Sequence, residues 1–181
     1  MDAYQLAKLV EWAGTLHTRK RLQKVVYLLK AADCPLNVDY TLHYYGPYSA
    51  DIARLTDAMV QADLLREEES PNAMTGKSFS YTLSDTARSR LLAGLQDPNL
   101  EPSRLRLQEF ENLARRLLEE PDLQKLEFAA TIAYFRKQLQ AEPWQAAREA
   151  AAKFKQQESD SREMRDAEEF ARQVLEPEDS D

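Results

Sequence analysis

The sequence has little glycine and almost no cysteine. Only four glycines occur in 181 residues, and none lies in the glycine-rich turn between a strand and a helix that holds a nucleotide phosphate. The single cysteine, Cys34, has no partner for an intramolecular disulfide, and the first residues lack the basic and apolar run of a signal peptide. No run of about 20 apolar residues is present to cross a membrane. We therefore expect a cytoplasmic protein that is not a nucleotide-binding enzyme of a common kind.

Side chains that perform catalysis or bind metals are also sparse. The two histidines, His17 and His43, lie in different predicted elements, and no cysteines or histidines have the spacing of metal ligands. No nucleophile motif is present. We predict no enzymatic activity, no catalytic residue, no metal and no cofactor, and we interpret His43 as structural and Cys34 as buried.

The charge is unevenly distributed along the chain. The formal net charge is -7, and residues 158–181 contain ten acidic residues and three arginines. Residues 1–157 therefore hold 21 basic and 21 acidic side chains. The acidic excess does not argue against a basic surface on the rest of the protein. We interpret residues 158–181 as an acidic terminal helix with a solvated tail; the alternative is that they mimic nucleic acid or cover a basic face of the same chain.

Apolar periodicity predicts a mixed front part and a helical back part. Helical spacing predicts three helices in the front part: one that ends near Gly14, one between Thr18 and Cys34, and one that Ser49 caps. Residues 41–45 predict a short strand that ends in a turn. Residues 64–65 and 79–83 predict two strands joined by a polar loop, and a further helix follows.

This order of elements is typical of a winged helix-turn-helix domain. The predicted fold class is mainly α, within α+β, with a small β-hairpin as the wing and a C-terminal helical extension. Pro98 and Pro102 mark the domain boundary, and the acidic excess marks the last segment. We therefore predict a winged-helix domain at 1–97, the extension at 98–157 and the acidic segment at 158–181. The most apolar segment, 126–135, predicts a helix buried between others or against a partner. Apolar faces in the back part favour a homodimer.

Two short motifs resemble those of a known family. The first motif lies on the second predicted helix and comprises Leu22, Gln23, Lys24 and Tyr27. The second follows the predicted strand and comprises His43, Tyr45, Gly46, Pro47, Tyr48 and Ser49. Together with residues 81–84 and 126–132, they resemble the YwgA-like family of small bacterial winged-helix proteins over most of residues 4–135. The helix motif and the Tyr-Gly-Pro turn are more weakly similar to the Panacea domain of SocA-like antitoxins, and neither resemblance supplies a catalytic residue.

The turn after the predicted strand has two interpretations. Glycine and proline give it the backbone of a rigid joint, and the Ser49 hydroxyl is placed to accept hydrogen bonds from amides of the next helix. The tyrosines either pack in the core and orient that helix, or they are exposed and bind a partner. The residues of this structural or partner-binding turn are Tyr45, Gly46, Pro47, Tyr48 and Ser49.

Cations cluster at the start of the second predicted helix. In winged-helix complexes this end of the helix approaches the DNA backbone, where cations contact phosphates. A further arginine lies on the third helix and a lysine lies in the wing. The candidate nucleic-acid-binding residues are Arg19, Lys20, Arg21, Lys24, Arg54 and Lys77.

Acidic side chains on the third predicted helix favour a different partner. Asp51, Asp57 and Asp63 would repel DNA phosphates, and they are able to complement the charge of a protein. Two hypotheses of function follow. The first is a non-enzymatic, DNA-associated transcriptional regulator that binds double-stranded DNA. The second is an antitoxin-like protein that binds and neutralises a protein partner such as a toxin.

Overall fold

The structure, a computed structural model, describes residues 1–72, 76–95, 102–139 and 143–176. It is mainly helical, with small antiparallel sheets. The helices are α1 (Ala3–Ala13), α2 (Arg19–Ala31), α3 (Ala50–Gln61), α4 (Asp85–Leu95), α5 (Pro102–Leu107), α6 (Glu111–Glu119), α7 (Leu123–Leu139), α8 (Trp144–Lys155) and α9 (Arg162–Leu175). The strands are β1 (Leu16–His17), β2 (Thr41–His43), β3 (Gly46–Tyr48), β4 (Leu65–Asn72) and β5 (Gly76–Leu83). Within the described residues, no helix has both the length and the apolar character to cross a membrane.

Helix ends in the front part follow local capping signals, with one exception. The Thr18 hydroxyl accepts a hydrogen bond from the Arg21 amide at the start of α2, as predicted, and α1 ends at Gly14. Ser49 occupies the N-cap of α3, but its hydroxyl makes no capping bond, so that prediction is wrong. The Ser49 hydroxyl is buried with no hydrogen-bond partner among the described residues. The Ser49 backbone is held instead: the Gln23 amide group donates to its carbonyl and accepts from its amide, both at 2.9 Å.

The first sheet has the strand order β1, β5, β4. The sequence pattern did not predict β1, which is two residues long and pairs Leu16 with Tyr81 on β5. Residues 67–72, predicted as part of a polar loop, instead belong to β4 and pair with β5 as far as Gly76. That prediction is wrong because the ladder with β5 satisfies the backbone of a polar strand, and apolar alternation does not reveal such a strand.

A second, separate hairpin comprises residues 41–48, and we call it the tyrosine hairpin. The predicted strand ends at His43, Tyr44 and Tyr45 form the turn, and the chain returns as β3. Gly46 has a φ of +86°, a backbone conformation that is unfavourable for residues with a Cβ. A Cβ at this position would lie 2.5 Å from Oγ1 of Thr131 on α7. The hairpin therefore approaches α7 as closely as a glycine permits.

One hydrophobic core joins the front and back parts of the chain. Helix α7 packs against α2, α8 and α9, and Leu126, Ala129 and Ile132 are fully buried. The prediction that 126–135 forms a helix buried between others is confirmed. Ala151 on α8 and Ala171 on α9 are also fully buried. The apolar faces of the back part thus complete this core, and the homodimer stays a prediction.

The predicted domain boundaries are only partly within the described residues. The junction at 97–98 and the last residues of the acidic tail, 177–181, lie outside them. The acidic helix is α9, which buries Ala167, Phe170, Ala171 and Val174 on one face. The division of the chain into three parts stays a prediction.

Candidate functional site

Helix α2 holds the backbone of the tyrosine hairpin through two side chains. The Lys24 ammonium donates to the Pro47 carbonyl at 2.7 Å, and Gln23 makes the two bonds to Ser49 described above. The Tyr40 hydroxyl donates to the Gln23 carbonyl at 3.3 Å. The helix motif and the turn motif, which are separate in the sequence, therefore form one structural unit.

Helices α7 and α8 hold the other side of the hairpin. The Lys155 ammonium donates to the Tyr44 carbonyl at 2.9 Å and also to one carboxylate oxygen of Glu127. Lys20 donates to the other Glu127 oxygen at 2.9 Å. Glu127 is buried. A buried carboxylate between two ammonium groups thus ties α2, α7 and α8 to the turn.

The tyrosine rings of the hairpin point to solvent. Their exposed fractions are 73% for Tyr44, 50% for Tyr45 and 37% for Tyr48. Gly46 and Pro47, by contrast, are buried. The interpretation that this turn packs in the core therefore holds for its backbone and not for its tyrosine rings.

These rings make ordered contacts with their neighbours. Tyr44 and Tyr45 meet edge to face with their centroids 5.0 Å apart, and the Lys20 ammonium lies 4.3 Å from the centroid of the Tyr45 ring. The His43 ring lies 5.6 Å from that of Tyr48. Such contacts orient exposed aromatic rings before any partner arrives.

A cavity of about 410 Å³ opens beside the hairpin, between α2 and α3, and we call it the α2–α3 pocket. Leu22, Ile52 and Ala53 give it an apolar lining. Its cationic lining residues are Arg19, Lys20 and Lys24, and its aromatic ones are His43, Tyr45 and Tyr48. No carboxylate lines it among the residues that the structure describes. The pocket suits a group that is apolar at one end and anionic at the other.

Arg19, at the start of α2, is paired with carboxylates. Its guanidinium forms salt bridges with Asp57 on α3 at 2.9 Å and with Glu67 on β4 at 2.8 Å. Its Nε donates to the Tyr81 hydroxyl at 2.5 Å. Arg19 thus joins α2 to α3 and to the first sheet, and acidic groups surround it on the outer side.

Arg21 and Lys24 bond to oxygens inside the protein. Arg21 donates to the main-chain carbonyls of Leu118 and Glu120 at the end of α6. Lys24 is 2% exposed and donates to Pro47. Burial lowers the pKa of Lys24 to about 7, although the nearby carboxylate of Glu127 acts in the opposite direction. Both cations are committed to internal carbonyl oxygens.

Arg54 and Lys77 are exposed and do not line the α2–α3 pocket. Arg54 pairs with Asp51 one turn away on α3. Lys77 on β5 pairs with Glu69 on β4 at 2.9 Å. The six predicted nucleic-acid-binding residues are therefore split: three line the pocket, Arg21 bonds to α6, and two lie among carboxylates on the surface.

The low pKa of Lys24 predicts a pH-dependent effect of replacing this residue. Between about 7 and the ordinary value of 10.5, the unfolded chain binds more protons at Lys24 than the folded protein does. The free energy of unfolding therefore rises with pH through this window. We expect Lys24→Met to remove this contribution, so that the stability difference, variant minus wild type, falls by about 1 kcal/mol per pH unit above pH 7.

Urea denaturation at several pH values between about 7 and about 9 measures this difference. The matched control is Lys153→Met, since Lys153 lies on α8 and is exposed. We expect the Lys153 variant to run parallel to wild type. A parallel curve for Lys24→Met would contradict the prediction.

Of the groups that catalysis commonly uses, Lys24 and His43 line the α2–α3 pocket and Cys34 does not. Cys34 is buried, as predicted, and burial raises the pKa of its thiol to about 12, which disfavours the reactive thiolate. His43 is exposed rather than enclosed in structure, although its ring contacts Tyr48. Among the described residues, no three metal-binding side chains lie together. The side chains that do lie together are aromatic, cationic and apolar, as on a binding surface.

Sequence reasoning missed two residues that build the site, Glu127 and Lys155. Glu127 had a usable signal, because a carboxylate within the most apolar run of the chain needs a cationic partner when it is buried. Lys155 carried no such signal, because it is the last residue of α8 and a lysine is ordinary in the last turn of a helix.

Comparison with known proteins gives one distant similarity. No family model matches the chain. The chain is 30% identical over 82 residues to the uncharacterized protein YwgA of Bacillus subtilis (strain 168). The match covers 45% of this chain and 48% of YwgA, so it spans about half the length of that protein. In agreement with the resemblance of its helix and turn motifs, the chain is distantly similar to YwgA.

Proposed function

We propose that the protein is a non-enzymatic binding module whose tyrosine hairpin contacts a protein partner. The observation that carries this proposal is the exposure of the hairpin: of the four large apolar side chains that the described residues expose, three are Tyr44, Tyr45 and Tyr48, and the fourth is Leu105. Tyrosine is enriched in protein interfaces because its ring buries a large area and its hydroxyl forms hydrogen bonds. Exposed aromatic groups concentrated at one place are a signal of such an interface.

The anchoring of the hairpin supports the same proposal. Lys24 on α2 and Lys155 on α8 bond to its Pro47 and Tyr44 carbonyls at 2.7 and 2.9 Å, and Gln23 on α2 holds the next residue, Ser49, with two bonds of 2.9 Å. A preformed contact surface loses less conformational entropy when a partner binds. The hairpin therefore has the rigidity that an interface with exposed rings needs.

The charge around α3 favours a protein over DNA. Carboxylates are frequent on the elements that a DNA reader would turn toward phosphates: Asp51 and Asp57 on α3, Asp63 in the turn after it, and Glu67, Glu68 and Glu69 on β4. Arg19, Arg54 and Lys77 are each paired with one or more of them. Phosphates would have to displace these carboxylates. We therefore place the antitoxin-like hypothesis first: the protein binds and neutralises a protein partner such as a toxin.

DNA binding is the second candidate, and the topology favours it. We infer that residues 1–97 form a winged-helix domain, because β1 lies between α1 and α2 and pairs with β5, the second strand of the β4–β5 hairpin. In this reading β4 and β5 form the wing and α3 lies toward the major groove. A transcriptional regulator would then use Arg54 and Lys77 on phosphates.

The double substitution Tyr44→Ser and Tyr45→Ser tests the first candidate. Because both rings are exposed, we expect the free energy of unfolding to change by less than about 1 kcal/mol. We expect the variant to lose a partner that tagged wild-type protein captures in its source cells, and to bind the purified partner at least about tenfold more weakly, a loss of about 1.4 kcal/mol. Affinity capture with quantitative mass spectrometry, followed by calorimetry, measures both.

Leu105→Ser is the matched control, since it removes the remaining large exposed apolar side chain away from the hairpin. Equal capture by wild type and the tyrosine variant would contradict the proposal.

Fluorescence anisotropy with mixed duplex DNA at two salt concentrations tests the second candidate. Salt-sensitive binding that Arg54→Gln with Lys77→Gln abolishes, and that the tyrosine variant retains, would establish DNA as the partner instead.

A further inference from the structure

We propose that the α2–α3 pocket receives a large apolar side chain from an acidic peptide segment of the partner, with a neighbouring carboxylate of that segment at the cationic lining. This inference rests on the proposed function, and it names the chemistry that the partner presents to the same surface. Three features of the pocket carry it: its position, its lining and its charge.

The position of the pocket makes it continuous with the tyrosine hairpin. Tyr45 and Tyr48, half-exposed on the hairpin, also line the pocket. A segment that covers the rings of the hairpin therefore passes the opening of the pocket. An interface with a side chain inserted next to exposed aromatic groups has the form of an anchored contact, in which one buried group supplies much of the affinity.

The lining of the pocket fits an apolar side chain. Leu22 and Ile52 are buried below the surface, and Ala53 adds a small apolar group. The volume of about 410 Å³ lies within the range of about 300–1,000 Å³ that is usual for ligand pockets. Because Ala53 is small, a longer residue at this position would fill part of the space.

The charge of the pocket favours a carboxylate. Its lining contains three cations and no acidic residue among those described. Arg19 is already balanced by Asp57 and Glu67, and Lys20 pairs with Glu127. These three carboxylates lie outside the lining, so the positive charge available to a ligand is that of the amines around Glu127. Glu127 is also the carboxylate that favours the charged forms of Lys24 and Lys155, so Lys20, Lys24 and Lys155 share it. An incoming carboxylate would balance this excess.

The burial of Lys24 gives the contact a pH dependence. Lys24 is held near its neutral form because burial lowers its pKa to about 7; Glu127 favours its charged form, while Lys155 and Lys20 oppose it. A bound carboxylate would favour the charged form, so binding takes up a proton. We expect acidic peptides to bind more tightly at about pH 6 than at about pH 8, by severalfold.

Selection from a library of random linear peptides displayed on phage tests the proposal with the full chain. We expect the enriched peptides to contain a large apolar residue flanked by aspartate or glutamate. Synthetic copies of these peptides should bind Ala53→Met at least about tenfold more weakly than wild type, because the methionine fills the pocket. Ala58→Met is the control, since Ala58 is exposed on α3 and does not line the pocket.

A second variant, Lys20→Gln, separates charge from space. The Lys20 side chain is partly exposed, so its replacement disturbs the fold little. Glu127 keeps its second partner, Lys155. We expect it to weaken the acidic peptides and to leave versions with glutamine at the acidic positions unchanged. Equal losses for both versions would overturn the role of the carboxylate.

The outcomes distinguish this inference from the proposed function. Peptides that depend on Tyr44 and Tyr45 but bind Ala53→Met normally would overturn the pocket contact and leave the hairpin interface standing. Enrichment of basic or uncharged peptides, or of none, would overturn the acidic segment. Loss of the natural partner in the tyrosine variant decides the proposed function independently of either result.

Discussion

Replacement of Gly46 by alanine should destabilise the protein by about 2–5 kcal/mol, the sum of a backbone cost and a steric cost. The φ of +86° is unfavourable for any residue with a Cβ. The added methyl group would also lie 2.5 Å from Thr131 Oγ1 and 3.6 Å from the Glu127 carbonyl oxygen. The Thr131 side chain has little room to move away, because it is fully buried and its hydroxyl donates to the main-chain carbonyl of Glu127 at 2.7 Å. The hairpin must therefore move away from α7 or α7 must bend.

Two further variants divide this loss into its parts. Gly76→Ala is the control for the backbone, since Gly76 has a φ of +77° and, among the described residues, no atom within 4 Å of an added Cβ. We expect a cost of about 1 kcal/mol. Combining Gly46→Ala with Thr131→Ala removes the clashing oxygen, so it should recover part of the steric cost. Chemical denaturation measures all the variants. Equal losses for Gly46→Ala and Gly76→Ala would show that the contact with Thr131 is unimportant.

The second large effect is expected for Glu127→Gln, at about 3–5 kcal/mol. This change removes the carboxylate that Lys20 and Lys155 share. The Lys20 side chain is 36% exposed and can turn to solvent, whereas that of Lys155 is 6% exposed and cannot. Most of the cost therefore arises from an ammonium that is left buried without its counter-charge.

Removal of the buried ammonium should recover part of the stability that Glu127→Gln loses. Adding Lys155→Met to Glu127→Gln removes the uncompensated charge, so the double variant should be more stable than Glu127→Gln alone, as thermal and urea denaturation will measure. The control is Glu111→Gln, whose partner Arg115 is 44% exposed in the same helix, and we expect a change below about 1 kcal/mol. Similar losses for Glu111→Gln and Glu127→Gln would mean that burial of the cluster adds nothing.

Much of the helical structure is predictable because its signals are local. Thr18 caps α2 through an amide three residues away, and the apolar run at 126–135 is buried whatever its neighbours are. The strands are less predictable, since β1 and residues 67–72 are strands only by virtue of their pairing with β5. A two-residue strand and a polar strand carry no periodic signal of their own.

The site is less predictable than the fold for a related reason. The positions of Gln23 and Lys24 in the helix motif are evident from the sequence, but their role depends on what packs over them. Lysine on a helix is most often solvated, whereas Lys24 is 2% exposed and donates to Pro47 of the hairpin. Exposure of the tyrosines is equally non-local, because Gly46 and Pro47 take the buried positions of the turn.

The anchoring of the hairpin by Lys155 has a consequence for synthesis of the chain. The tyrosines near residue 45 leave the ribosome early, but the side chain that holds the Tyr44 carbonyl belongs to the end of α8. A nascent or prematurely terminated chain that stops before α8 lacks this bond and the ion pair between Lys155 and Glu127. Since chains emerge and fold from the N-terminus onward, the bonds from Gln23 and Lys24 can form early, whereas the bond from Lys155 must wait until α8 has been made. The complete set of bonds to this region therefore belongs to chains synthesised through α8.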